Sequence, residues 1–222
     1  MTRPWLLGFG VVLTMLAGFI DALGFIRLGG FYTSFMSGNT TQLAVAVGRG
    51  DGFHAVLPAL LIAAFLTGAV TGGALAALTP ARWVTPAVLA YETVTVTAAL
   101  TVAIEDVHIG TASLFLALAM GGQNAVLAHV QGFRAGTTFI TGALFSFGQK
   151  AALALAGRAP RLGWVGDAAV WTALLIGAVA GTLAHTHLGV AALAVPATVA
   201  GTLCLGASLV ILSNRPAAGS VR

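Results

Sequence analysis

The chain has 222 residues, 58% of them hydrophobic and only 7% charged, with a mean hydropathy of +0.98; a soluble domain of this length would lack the polar surface to cover itself. Ten Lys and Arg against six Asp and Glu give a formal net charge of +4, but the basic residues are scattered over segment ends and form no face for nucleic-acid phosphates. The composition predicts an all-α, polytopic integral membrane protein whose partner is the lipid bilayer, residues 1–222 forming a single membrane domain.

Eight apolar segments follow in chain order, approximately 4–28, 33–48, 55–78, 83–104, 109–132, 137–157, 164–187 and 188–212. A helix rises about 1.5 Å per residue, so roughly 20 apolar residues cross the ~30 Å hydrocarbon core. The first segment is long enough, is read as retained instead of as a cleaved signal, and carries Asp21 inside it. A carboxylate there costs about 2.5 to 3.5 kcal/mol on insertion scales. Gly10, Thr14, Ala17, Gly18 and Gly24 recur around it at spacings of three and four, which places the acid at a helix interface or a polar cavity.

The second segment is short and broken by Ser37-Gly38-Asn39-Thr40-Thr41-Gln42, the pattern of a half-length helix next to protein or water. Asn39 and Gln42 lie one turn apart and are expected to line the same pathway as Asp21. Gly68 and Gly72 in the third segment, and Gly177 and Gly181 in the seventh, have the GxxxG spacing that lets backbones approach closely. Glu92 lies near the middle of the fourth segment on a stripe of Thr85, Val88, Thr95 and Ala99, which points it at the bundle. The fifth carries Gln123 and Asn124, followed by His129, either a satisfied interfacial histidine or a proton relay. Lys150 in the sixth either pairs with Glu92 or snorkels to the surface. Cys204 is the single cysteine, so it forms no intrachain disulfide and reads as a small buried hydrophobe.

The segments repeat. Gly18-Phe19-Ile20-Asp21-Ala22 corresponds to Gly121-Gly122-Gln123-Asn124-Ala125 at an offset of 103, and Phe35-Met36-Ser37-Gly38-Asn39 to Phe139-Ile140-Thr141-Gly142-Ala143 at 104. Thr67–Gly72 matches Ile176–Gly181 at 109, and Val84–Ala87 matches Ala194–Ala197 at 110. Four anchors in order, with a slowly drifting offset, predict two homologous tandem halves of the kind found in transporters, about 4–104 and 109–212. If the second and sixth segments both cross, there are eight crossings and parallel repeats; if both are re-entrant, there are six crossings and inverted repeats. Either way the basic residues favour cytoplasmic termini.

Gly18-x-x-Asp21-Ala22, the Phe35-Met36-Ser37-Gly38-Asn39 element after a Gly-Gly-Phe turn, and Gly136-Thr137-Thr138-Phe139-Ile140-Thr141-Gly142 occur in that order. In these motifs the chain resembles the YoaK-like family of small bacterial membrane proteins, a domain of unknown function. The family's usual Arg-Thr-Thr is here Arg134-Ala-Gly-Thr137-Thr138, with the arginine displaced. The resemblance implies a bacterial inner-membrane location and no particular substrate.

The spacing of His, Cys, Asp and Glu matches no metal site, and neither HExxH nor GxSxG is present. The residues predict a non-enzyme without cofactor or metal. The expected function is transport of a small solute or ion, coupled to protons through Asp21, at a polar site between the halves formed by Asp21, Asn39, Gln42, Glu92, Gln123 and Asn124. The alternatives are a passive, oligomeric channel lined by the same residues and, less favoured, an intramembrane hydrolase using Asp21 and Glu92.

Overall fold

The computed structural model describes residues 4–105, 109–127 and 140–213; His129, Arg134, Thr137–Phe139 and the terminal arginines Arg3, Arg215 and Arg222 lie outside the described residues. Among those described there are eight α-helices: α1 (Pro4–Leu28), α2 (Met36–Gly48), α3 (Gly52–Leu78), α4 (Val84–Ile104), α5 (Ile109–Leu127), α6 (Ile140–Leu155), α7 (Val165–Leu188) and α8 (Ala194–Ser213). Short 3-10 turns, Ala81–Trp83 and Gly189–Leu193, lead into α4 and α8. Large apolar side chains such as Leu66, Val70, Val94 and Leu209 are exposed on the outside, as expected of helices that meet lipid.

Four stretches are long and apolar enough to cross a membrane: Gly8–Leu28, Gly52–Leu78, Ala81–Ile104 and Val165–Ser213. The last runs through α7 and α8, which separate at Gly189, where φ is +56°. In contrast α2, at 13 residues, is about 20 Å long and cannot span the core. Its short run follows from the sequence around it, because glycine allows the positive φ that each chain reversal needs. Gly29 and Gly30 have φ of +66° and +113° before α2, and Gly50 has +69° after it.

The way α2 is reached decides its direction. After Leu28 the chain turns back along α1, and Thr33 and Ser34 donate to Asp21, seven residues or about 10 Å before the end of α1. From there α2 retraces the path outward. Asn39 bonds to Tyr32, and Gln42, one turn later, to Gly30. Residues 29–48 therefore form a hairpin whose two arms run antiparallel, and which enters and leaves at the end of the bundle where α1 finishes. Gly24 makes room for it: a Cβ there would sit 2.5 Å from Thr33 Cγ2. Its second arm packs on α3.

Glycines set the closest helix contacts. Gly68 and Gly72 of α3 lie on the backbone of Leu118 and Gly122 in α5, where a Cβ on Gly72 would meet the Gly122 carbonyl at 2.6 Å. Gly177 and Gly181 of α7 lie on Met15 and Phe19 in α1, where a Cβ on Gly181 would meet the Phe19 carbonyl at 2.5 Å. Both pairs run parallel, since the partners advance together. Leu118 and Gly122 lie 103 residues after Met15 and Phe19, and Gly177 and Gly181 lie 109 after Gly68 and Gly72. The turns that follow α2 and α6 have the same bond pattern: Asp51 N donates to Ala46 O, and Arg158 N to Leu153 O.

α4 and α8 run antiparallel. Cys204 lies by Pro86, with Sγ 3.4 Å from its carbonyl oxygen, and Gly201 lies beside Thr93, so moving forward along one helix moves backward along the other. The main core joins Leu16, Ile20 and Leu23 of α1 to Val96 and Ala99 of α4, Leu116 and Met120 of α5, and Leu193 and Ala200 near α8.

Candidate functional site

The polar residues of the membrane region form two centres. The first is built on α1 and the hairpin. Oδ1 of Asp21 accepts from the Thr33 amide at 2.8 Å, the Ser34 amide at 2.8 Å and the Thr33 hydroxyl at 3.2 Å. The Ser34 hydroxyl also bonds the carboxyl. The carboxyl thus takes the place of the missing helical acceptors for two backbone N–H groups just ahead of α2, groups that would otherwise be unsatisfied inside an apolar bundle. Among the described residues no basic side chain lies within ion-pair distance of Asp21.

Asn39 is fully buried and spends its amide on the opposite arm, accepting from Tyr32 N at 3.0 Å and donating to Tyr32 O at 2.7 Å. Gln42 donates to Gly30 O at 2.8 Å. These two side chains close the hairpin as backbone pairing closes a sheet. A groove of about 310 Å³ opens between α1 and α7 beside this centre, and Asp21, Phe25 and Tyr32 line it with small residues. A second cleft, about 350 Å³, lies at the mouth of the hairpin among Phe31, Gln42, Arg49, Asp51 and His54. There Asp51 caps α3, and the N–H of His54, followed by its ring, holds the Asp51 carboxyl below the usual carboxylate range.

The second centre lies between α4 and α5. Glu92 is fully buried, and its Oε1 accepts from Gln123 Nε2 at 2.9 Å. Gln123 Nε2 also lies 3.5 Å from Leu13 O of α1. The other oxygen, Oε2, is buried with no hydrogen-bond partner among the described residues. Asn124, adjacent in sequence, donates to Met120 O within its own helix. The six residues expected to make one site are therefore divided: Asp21, Asn39 and Gln42 belong together, as do Glu92 and Gln123, and among the described residues no hydrogen bond joins the two groups. Lys150 does not pair with Glu92; it reaches Asp167 at 2.7 Å in an exposed ion pair, because the loop after α6 brings the start of α7 beside it.

Sequence reading missed Thr33, Ser34 and Tyr32, the partners of Asp21 and Asn39. Their only signal was a Gly-Gly reversal followed by two hydroxyl residues, 12 and 13 positions after an intramembrane acid. It also missed Arg27, Ser113 and His185, which carry buried nitrogen or oxygen atoms with no hydrogen-bond partner among the described residues. Those residues show no spacing that would have marked them. No group of three or more metal-ligating side chains occurs among the described residues.

Comparison with known proteins gives this architecture a family. Residues 9–206 match the family described as a protein of unknown function, DUF1275. A relative, the UPF0700 transmembrane protein RA0705 of Rhizobium meliloti (strain 1021), is 30% identical over 188 residues, which cover 85% of this chain and 80% of that protein. No solved structure matches. The chain belongs to the DUF1275 family, and it is a membrane protein.

Proposed function

We propose that this DUF1275 member is a transporter of a small molecule or ion in the bacterial inner membrane, coupled to protons through Asp21, with both termini cytoplasmic. The observation that carries this reading is the divided use of one carboxyl group. Oδ1 of Asp21 is engaged by three donors of the hairpin, the Ser34 hydroxyl also bonds the carboxyl, and the same residue lines a groove. Such an acid can exchange a proton with the groove while it holds the hairpin in place.

The geometry supports six crossings and inverted repeats. The hairpin with α2 returns to the side it came from, leaving three crossings in each half, and α4 lies antiparallel to its counterpart α8, as halves of opposite orientation require. Under this topology Arg3, Arg82, Arg134, Lys150, Arg158, Arg161, Arg215 and Arg222 share the side of the termini. The opposite side keeps Arg27 and Arg49 with Asp51, Glu105 and Asp106, so positive-inside bias favours cytoplasmic ends. The seams α1 with α7 and α3 with α5 each join one half to the other, an arrangement that can rock about the central α4 and α8 pair.

Two experiments test the proposal. An impermeant thiol reagent should label Asp51→Cys, in a Cys204→Ala background, from outside the cell; protection there together with labelling from the cytoplasm would remove the six-crossing topology. In liposomes loaded with a pH-sensitive dye, a panel of small solutes should include one whose gradient drives proton movement, abolished by Asp21→Asn. A passive channel would instead pass its solute without proton movement and could never concentrate it.

A further inference from the structure

The groove between α1 and α7 opens onto Asp21, the acid of the transport reading, and its chemistry is unusual for a surface that faces lipid. Small residues, Gly18 and Ala22 of α1 and Ala178 of α7, line it together with two larger aliphatic side chains, Phe25, Tyr32 and Asp21. The small residues are there because the helices touch: a Cβ on Gly18 would collide with the Leu174 carbonyl. The two rings face each other with centroids 5.1 Å apart and a 43° tilt, and a third, Phe35, lies edge-on to Tyr32 at 5.4 Å. Phe25 stands on α1 and Tyr32 and Phe35 on the hairpin that Asp21 anchors, so acid and aromatics meet at one corner.

Asp21 is the single acidic residue of the groove, and it has no basic partner among the described residues. An apolar slot with one carboxyl group that no basic side chain among the described residues neutralises, and with two aromatic rings beside it, complements a ligand that has an apolar body and a positive charge. Aromatic faces attract such cations through the ring quadrupole, and quaternary ammonium groups are the usual beneficiaries. A volume of about 310 Å³ suits a small organic ligand, at the lower end of the usual range of roughly 300 to 1,000 Å³. An inorganic cation fits less well, because the slot offers one carboxyl group and few other oxygens.

We propose that this groove binds small organic cations with apolar bodies, quaternary or protonated amines, with the charge at Asp21 and the body against Phe25 and Tyr32. The proposal deepens the transport reading, on which it rests for its biological meaning, by naming a substrate class. A cationic ligand and a proton would then compete for the same carboxyl group, which is the simplest way to make the two exchange.

The test is equilibrium binding of radiolabelled benzyltrimethylammonium to the full-length, detergent-purified protein. Its charge cannot titrate, and neopentylbenzene is its neutral isostere. Saturable binding is expected, weakened tenfold or more by Asp21→Asn and several-fold by Phe25→Leu, with neopentylbenzene a poor competitor. Thr182→Trp, at the exposed rim of the groove and away from the hairpin bonds, should also abolish binding and so guards against misfolding of the Asp21 variant. Equal competition by the neutral isostere, binding unchanged in Asp21→Asn and Thr182→Trp, or a tightly held aminophospholipid that the cation does not displace would overturn the proposal. Because no gradient is used, loss of binding defeats this proposal alone, whereas binding without any solute-driven proton movement in liposomes defeats the transport reading.

Discussion

The Asp21 hairpin and the Glu92–Gln123 pair both put a carboxyl group inside an apolar bundle, yet their atoms are left with different work. At Asp21 one oxygen collects three donors and the residue lines a groove. At Glu92 one oxygen takes the Gln123 amide, and the other is buried with no hydrogen-bond partner among the described residues. The first acid therefore shapes the backbone and remains reachable; the second ties α4 to α5 and is sealed. Polarity in a membrane is not by itself a pathway, since a buried group whose contacts are all internal can be structural however costly its insertion.

The largest effect is expected at Asp21. Replacing it with Leu leaves the Thr33 and Ser34 amides without an acceptor, a loss of about 1 to 3 kcal/mol for each buried group. A drop in thermal stability and faster hydrogen exchange at those two amides should follow, whereas Asp21→Asn, which keeps an acceptor oxygen, should retain near-wild-type stability. Gly24→Val attacks the same hairpin from the other side. Its Cβ would meet Thr33 Cγ2 at 2.5 Å, and overpacking of this kind costs about 1 to 3 kcal/mol; increased proteolysis in residues 29–35 with α3 still protected would report the undocked hairpin.

The smallest expected effect sharpens the contrast at the other centre. Glu92→Gln keeps the oxygen that accepts from Gln123 and alters only the atom that has no partner, so stability should change by less than about 1 kcal/mol, and any solute-driven proton movement should persist. If Glu92→Gln stopped that movement while Asp21→Asn did not, the roles of the two acids would be reversed.

Several of these features were legible in the sequence for plain physical reasons. An acid in an apolar run, as at Asp21, is costly enough to stand out, and the spacing of Gly68 with Gly72 and of Gly177 with Gly181 marks faces where helices can touch. The pairing of Glu92 with Gln123 was not legible, because 31 residues and a helix reversal separate them. Nor was the direction of α2: periodicity shows that 36–48 is helical but not whether such a helix continues across or turns back. That depended on Asn39 meeting Tyr32 and Gln42 meeting Gly30, bonds between side chains and irregular backbone that carry no sequence period. Lys150 is a further case, since its partner Asp167 lies beyond the next turn.

Everything in the proposed mechanism turns on whether the proton at Asp21 is exchanged during transport, and proton movement in liposomes carrying wild-type protein or Asp21→Asn, compared across pH with a solute that the wild type moves, measures this directly. The expected result is solute-driven proton movement in the wild type and none in an Asp21→Asn protein that is equally folded. An Asp21→Asn protein that kept the wild-type rate and pH dependence would contradict the account and leave Asp21 as the anchor of its hairpin only.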